Sequence, residues 1–218
     1  MRYAVYFCPA AGSELEAFGR EWLSTDAVPG VTSERLRVLT SNVRRYGWHA
    51  TLCAPFALAE QARYDDVREN VADIAQRTQA FEFALHLDRL AGFLALRPSA
   101  GETPAWMLAE RCVRRLNALR APVTDEAWQR KAVKLDAVER SLFRQFGYPY
   151  VLDRYRFHMT LCAPASEEEE SALQAWLSPW VASLPPARID AMTICREAEP
   201  GQPFEQIERF PFGVGLAA

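Results

Sequence analysis

Hydrophobic and polar positions follow two periods along this chain, and the change from one to the other marks its elements. Residues 2–8 alternate as a strand does, with every second side chain on one face. Ser13 is placed to cap a helix running to about Leu23, with Glu16 set for a capping box. A loop containing Pro29 and Gly30 leads to an apolar stretch near Leu36–Leu39, and a run over 45–55 is closed by Pro55. Tyr64 to Arg77 reads as a helix with Val67, Val71 and Ile74 along one face. Phe81 to Leu87 alternates again and pairs with Gly92 to Leu96 as a hairpin.

The second half repeats this order. Helices are predicted from about Pro104 to Leu119 and from Glu126 to Phe146, the latter ended by Gly147-Tyr148-Pro149. A second run follows and is closed by Pro164. Glu167 to Ser183 is a helix whose acidic first turn suits the positive end of its dipole. Strands near Ile189–Cys195 and Phe204–Phe212 flank a turn at Pro200-Gly201. The order predicts an α+β, bilobal fold: two pseudo-symmetric lobes, each an antiparallel sheet packed on helices, with a cleft between them. No low-complexity linker separates the halves, so residues 1–218 are expected to form a single domain.

The two runs are near copies. Arg45-Tyr46-Gly47-Trp48-His49-Ala50-Thr51-Leu52-Cys53-Ala54-Pro55 returns as Arg154-Tyr155-Arg156-Phe157-His158-Met159-Thr160-Leu161-Cys162-Ala163-Pro164, identical at eight of eleven positions. Strand parity puts His49, Thr51 and Cys53 on one face and Trp48, Ala50 and Leu52 on the other, and it divides the second copy in the same way. A strand that merely shows polar residues to water would repeat its hydrophobic pattern. It has no need to repeat a titratable side chain, and two of the three histidines lie in these copies.

Two histidines and two hydroxyls suit phosphoester cleavage. One neutral imidazole takes a proton, the other gives one to the leaving oxygen, and an ordinary pKa near 6.5 allows both roles. Thr51 and Thr160 then hold non-bridging phosphate oxygens. Arg45 and Arg154 are candidate cations for the substrate, though they share the histidine's face only if the strand begins that early. Tyr46 and Tyr155 either contact a sugar, base or phosphate, or pack. Cys53 and Cys162 point with the histidines by parity, but packing as small apolar residues outweighs a nucleophilic role. His86 is expected to be a surface or hydrogen-bonded structural residue.

Composition narrows the partners. A net charge of -3 offers no bulk attraction to nucleic acid or anionic membranes, although 23 of the 25 basic residues are arginines. No segment approaches the roughly 18 apolar residues of a membrane span, and the opening residues lack the apolar block of a signal peptide. Five cysteines without paired spacing argue against a disulfide framework and for a reducing, cytoplasmic setting. With no Cys-x-x-Cys and no His-x-x-x-His, neither a metal nor another cofactor is expected. The expected partner is a small phosphorylated substrate, with no membrane, and nucleic acid only as a small or end-bound substrate. Oligomeric state is not legible.

The duplicated motif resembles that of the 2H phosphoesterase superfamily, whose members carry two His-x-Thr/Ser motifs on a bilobal α+β fold and cleave cyclic or linear phosphodiesters of nucleotides and RNA ends. Tyr46 to Leu52 and the run from Gly147 to Leu161 resemble a bacterial branch encoded beside phosphonate-degradation genes; Gly92 to Leu96 and Arg209 to Gly213 fit it too. The resemblance implies His49 and His158 as the acid-base pair and Thr51 and Thr160 as phosphate holders. It also implies a phosphoribosyl cyclic phosphate as substrate. A nucleotide or RNA-end 2',3'-cyclic phosphodiesterase is the alternative, and a phosphometabolite-binding protein without turnover is a third. Branch members often carry a lysine where this chain has Cys53, so charge neutralisation here falls to another group, such as an arginine.

Overall fold

The computed structural model describes residues 1–213. Nine strands and seven α-helices follow one another as β1 (Arg2–Phe7), α1 (Glu14–Ser24), α2 (Ser33–Tyr46), β2 (Ala50–Phe56), α3 (Tyr64–Gln76), β3 (Phe81–Phe83), β4 (Leu85–Leu90), β5 (Phe93–Pro98), α4 (Thr103–Leu116), α5 (Asp125–Ala132), α6 (Ala137–Phe146), β6 (Met159–Thr160), α7 (Glu167–Ala182), β7 (Ala187–Ile189), β8 (Ala191–Glu197) and β9 (Glu205–Pro211) among the described residues. Seven strands form one sheet in the order β4-β5-β6-β2-β1-β8-β9, and β3 pairs with β7 in a small second sheet. Every pairing is antiparallel. The α+β class is as expected.

Alternation along the strands gives the large sheet two unlike faces. Val5 and Phe7 of β1, Ala50 and Leu52 of β2, and Leu94 and Leu96 of β5 join one core with the apolar faces of α1, α2, α3, α4 and α7. Ala4, Tyr6, Cys8 and Cys195 point the other way and form a small cluster with Phe204. Those five helices lie on one face, and α6 packs separately with Val113, Val151 and Cys53.

The halves interleave rather than folding in turn. The β4–β5 hairpin comes from the first half of the chain yet pairs with β6 of the second motif, while β8 from the second half pairs with β1. The two motif strands, β2 and β6, therefore meet at the centre of the sheet. Sequence order does not reveal this exchange, because each hairpin has the same local pattern whichever strand it joins.

Several boundaries move for identifiable reasons. The apolar stretch near Leu36–Leu39 belongs to α2, a full helix capped by the Thr32 hydroxyl, which accepts from the Arg35 amide at 3.3 Å. Only half of the box at Ser13 forms: Ser13 caps the Glu16 amide, but its own N–H donates to the Ala10 carbonyl. The helix expected over 126–146 breaks into α5 and α6, because Asp136 and Glu139 make a complete capping box that starts a new helix. The strand expected from Phe81 to Leu87 splits: Phe81–Phe83 pairs with Ala187–Ile189, and only Leu85–Leu90 joins the hairpin.

One close contact ties a helix to the first motif. Gly19 of α1 lies flat against the indole of Trp48, whose Nε1 donates to the Leu15 carbonyl at 2.9 Å. A β-carbon on Gly19 would sit 2.0 Å from the ring. Gly19→Ala is therefore expected to destabilise by about 1–3 kcal/mol through overpacking, outweighing the roughly 1 kcal/mol that alanine gains in a helix. Urea unfolding checks the sign, and a more stable variant would show that the indole can yield.

Candidate active site

The ladder registers bring the two motifs together. Ala50 of β2 pairs with Met159 of β6, and Ala95 of β5 pairs with Thr160. In an antiparallel pair the neighbouring positions then face one another, so His49 stands across from Thr160 and Thr51 across from His158. The four side chains form a two-by-two block on the polar face, with the histidines on one diagonal and the threonines on the other. Diagonal positions in such a ladder lie about 7–8 Å apart, with β-carbons somewhat closer, room for a phosphoryl group between the rings. All four are half-buried, while Ala50, Leu52, Phe157 and Met159 are buried on the opposite face.

Both imidazoles are held in the same way. His49 Nδ1 lies 2.9 Å from the Gly47 carbonyl, and His158 Nδ1 lies 2.8 Å from the Arg156 carbonyl. A carbonyl only accepts, so each Nδ1 carries the hydrogen and each Nε2 is the ring's acceptor. The Thr51 hydroxyl is 3.3 Å from His49 Nε2. Burial is the main reason that the His49 pKa falls to about 4; the Gly47 carbonyl opposes the shift and charge on His158 adds to it. Burial likewise lowers the His158 pKa, with Arg97 adding to the shift and the Arg156 carbonyl and Glu102 opposing it.

The flanking candidates separate. Arg45 does not reach the site: α2 continues through it, Gly47 turns the chain at φ 75°, and its guanidinium pairs with the buried Glu197. Tyr46 lines the cavity at His49 and stacks on Phe204 with centroids 5.0 Å apart. Arg154 lies in a short 3-10 turn ahead of β6 and pairs with Asp136 at 2.8 Å, while lining the cavity at His158. Tyr155 is buried, and its hydroxyl donates to the Thr51 carbonyl at 3.1 Å, a strut under the first motif.

Parity fails at Cys162. The Leu161 and Cys162 amides both reach the Leu94 carbonyl, and the Ala163 amide donates to Leu39 on α2, so the chain leaves the sheet and turns the thiol into the core. Cys53 keeps its parity, but burial pushes its thiol up to about 12, which suits packing and not nucleophilic attack. His86 is exposed beside Ser99, as a surface residue would be. Among the described residues, no three His, Cys, Asp or Glu side chains gather where they could hold a metal ion. No helix among them is long and apolar enough to cross a membrane.

Four contributors escape local sequence reasoning. Tyr6 of β1 lies against His49 with ring centroids 4.0 Å apart, and Phe93 of β5 lies 5.6 Å from the ring of His158. Tyr148 lines the cavities beside both histidines. Glu102, at the start of α4, accepts from the Phe157 amide immediately before His158. Only strand order and helix placement reveal them, and no spacing in the chain signals either.

Two cavities meet at this block. The one at His49, about 290 Å³, is lined by Tyr6, Asn42, Tyr46 and Thr160 among others. The one at His158, about 340 Å³, is lined chiefly by carbon, from Leu90, Phe93, Tyr150 and Val151. Thr51, Ala54 and Tyr148 border both.

Two His-x-Thr copies thus stand on adjacent strands of an antiparallel α+β fold. The chain belongs to the family described as a protein of unknown function, DUF1045, whose model matches residues 51–205. It is 36% identical over 234 residues to ribose 1,5-bisphosphate phosphokinase PhnN of Janthinobacterium sp. (strain Marseille), covering 97% of this chain and 51% of that protein. The protein of the same name from Laribacter hongkongensis (strain HLHK9) is 38% identical over 185 residues, covering 82% of this chain and 43% of its own. The chain thus spans about half the length of the curated relatives it matches. Among solved structures, it is similar to E. coli LigT complexed with phosphate, at a TM-score of 0.47 and 13% identity over 98% of each chain. It is also similar to TT0787 of Thermus thermophilus, at a TM-score of 0.49 and 15% identity over 97% of this chain and 98% of that one.

Proposed function

We propose that this protein is a phosphoester hydrolase that opens a cyclic phosphate or cleaves a small phosphodiester by paired-histidine acid-base catalysis, without a metal. The observation that carries the reading is the matched setting of the two rings, each presenting Nε2 as its acceptor through the same bond from Nδ1 to the carbonyl two residues earlier. Thr51 and Thr160, on the other diagonal, are the phosphate holders in this mechanism. Charge neutralisation falls to Arg154 and Arg156, which line the cavity at His158.

Two substrate classes follow. The relatives' name, which gives ribose 1,5-bisphosphate, favours a phosphorylated ribose, here a phosphoribosyl cyclic phosphate. Only the sugar part of that name carries over, because neither Lys131 nor Lys134 follows the Gly-x-x-x-x-Gly of a nucleotide-cradling loop. The aromatic lining beside His158 speaks for a nucleotide or RNA-end cyclic phosphodiester.

A panel of both classes, assayed with a chelator present, tests the proposal. Turnover should survive the chelator; turnover lost only in its presence would make the enzyme metal-dependent, and binding without turnover whether or not it is added would make the protein a phosphometabolite binder. The pH profile is the second measurement. The base must be neutral, so kcat/KM should rise with pH through about 4, the value to which burial brings His49. The acid must be protonated, so kcat/KM should fall again below the ordinary histidine value of about 6.5, since burial lowers His158 too. A profile rising through pH 8 would rule out this pair.

A further inference from the structure

Among the described residues, one half-buried arginine stands without a partner. Arg2, Arg35, Arg45, Arg97, Arg196 and Arg209 are half-buried too, and each reaches a carboxylate. The Arg120 guanidinium meets no carboxylate and makes no hydrogen bond within the described residues; Cys53 is its one favourable charge neighbour. A covered cation costs desolvation that only an opposite charge or an acceptor offsets, and a guanidinium does not escape by losing its proton.

Nor can the backbone carry Arg120 away. The Ala59 amide donates to the Leu119 carbonyl at 2.9 Å and the Ala121 amide to the Ala57 carbonyl at 2.8 Å, which fixes Arg120 opposite Leu58, just past the end of β2. Its side chain lies over Gly147, where a β-carbon would come within 1.7 Å of Nη2. Arg120, Cys53 and Gly147 line a hollow of about 20 Å³, room for one water, which shares Ala54 and Tyr148 with both cavities at the histidines. Cys53 lies two residues beyond Thr51 on β2, a rise of about 6–7 Å. No Asp or Glu among the described residues lines any of the three spaces, whereas Arg120, Arg154 and Arg156 do. Arg154 pairs with Asp136, and Arg156 donates to the Asp153 and Tyr155 carbonyls. Of the three, Arg120 keeps its donors for a ligand.

We infer that Arg120 is a specificity-determining residue: across the water of its hollow it binds a terminal phosphomonoester that the substrate carries beside the phosphate held by Thr51 and Thr160. The inference rests on the hydrolase reading above and adds to it a second anionic group and the residue that selects it. A single sugar between the two phosphates spans the separation.

Four esters test this: ribose 1,2-cyclic phosphate and adenosine 2',3'-cyclic phosphate, each with and without a phosphate on carbon 5. In the class that the wild-type protein turns over, the 5-phosphorylated ester should have kcat/KM at least about 10-fold above its counterpart, as a charge-assisted contact provides. Arg120→Gln should bring the two within about threefold of each other. Calorimetry reads the same site without turnover: ribose 1,5-bisphosphate should bind at least about 10-fold more tightly than ribose 5-phosphate, and Arg120→Gln should close that gap too. If Arg120→Gln does not fold, Arg120→Lys takes its place and should narrow both ratios, because it keeps the charge but loses the planar fork. No preference in the wild-type protein, or one that the variant leaves unchanged, overturns the assignment while the hydrolase stands. If no ester turns over, the hydrolase reading fails, and the binding gap by itself decides whether Arg120 holds a second phosphate.

Discussion

Alanine at either His49 or His158 is expected to lower kcat/KM for a hydrolysed phosphodiester by about 10²–10⁴-fold, the range for a positioned acid or base. Both rings lie on the sheet face away from the main core, half-buried, so the variants should keep their fold. The double variant should lose far less than the product of the two single losses, because acid and base act in one step and neither retains its full value alone. Thr51→Ala should cost less than either histidine while raising KM, since its hydroxyl holds substrate and takes no proton. Circular dichroism confirms the fold, and initial rates on the best ester give the ratios. Single variants at wild-type rates would remove the motif from the chemistry.

Glu197→Gln should lower stability by about 2–3 kcal/mol at neutral pH, the largest effect expected from a residue outside the site. The Glu197 side chain is buried in β8 and receives Arg2 Nε at 2.6 Å, the Arg45 guanidinium, and the Gly201 amide at 3.0 Å. These bonds, led by that from Arg2, hold its carboxyl at about 2 against an ordinary value of 4.5. Arg2 and Arg45 are 37% and 29% exposed at their side chains, so solvent screens part of the gain and the full shift overstates it. A depressed carboxyl stabilises the fold fully above its unfolded value and loses that contribution as pH falls toward its folded value. The gap between wild type and variant should therefore shrink to under half by about pH 3. Urea unfolding at both pH values measures it, and a gap unchanged by acid would place its origin outside the ion pairs.

Arg45 shows where reading the sequence met its limit. It shares a motif position with Arg154, yet one guanidinium serves the buried Glu197 carboxylate of β8 and the other pairs with Asp136 beside a cavity. The repeat extends over eleven residues, but only the strand cores keep equivalent surroundings, because the segments before them are a helix end in one copy and a 3-10 turn in the other. Cys162 fails for a related reason: parity holds only while the ladder continues, and β6 ends at Thr160. The tyrosine pair diverges in the same way: Tyr46 lines the cavity at His49, while Tyr155 borders the one at His158 and ties its hydroxyl to the Thr51 carbonyl.

What the sequence determined by itself was local. Hydrophobic periodicity marked most elements, the cap at Ser13 marked a helix start, and the duplicated His-x-Thr named the candidate chemistry, since these signals act over a few residues; the caps at Thr32 and Asp136 are equally local but emerged only with the structure. Tertiary structure alone decided that β2 and β6 are neighbours, that hairpins pair across the halves, and that Tyr6, Phe93, Tyr148 and Glu102 surround the histidines. Strand order follows from burying every apolar face against the helices at once. That is a property of the whole chain, and no segment carries it alone.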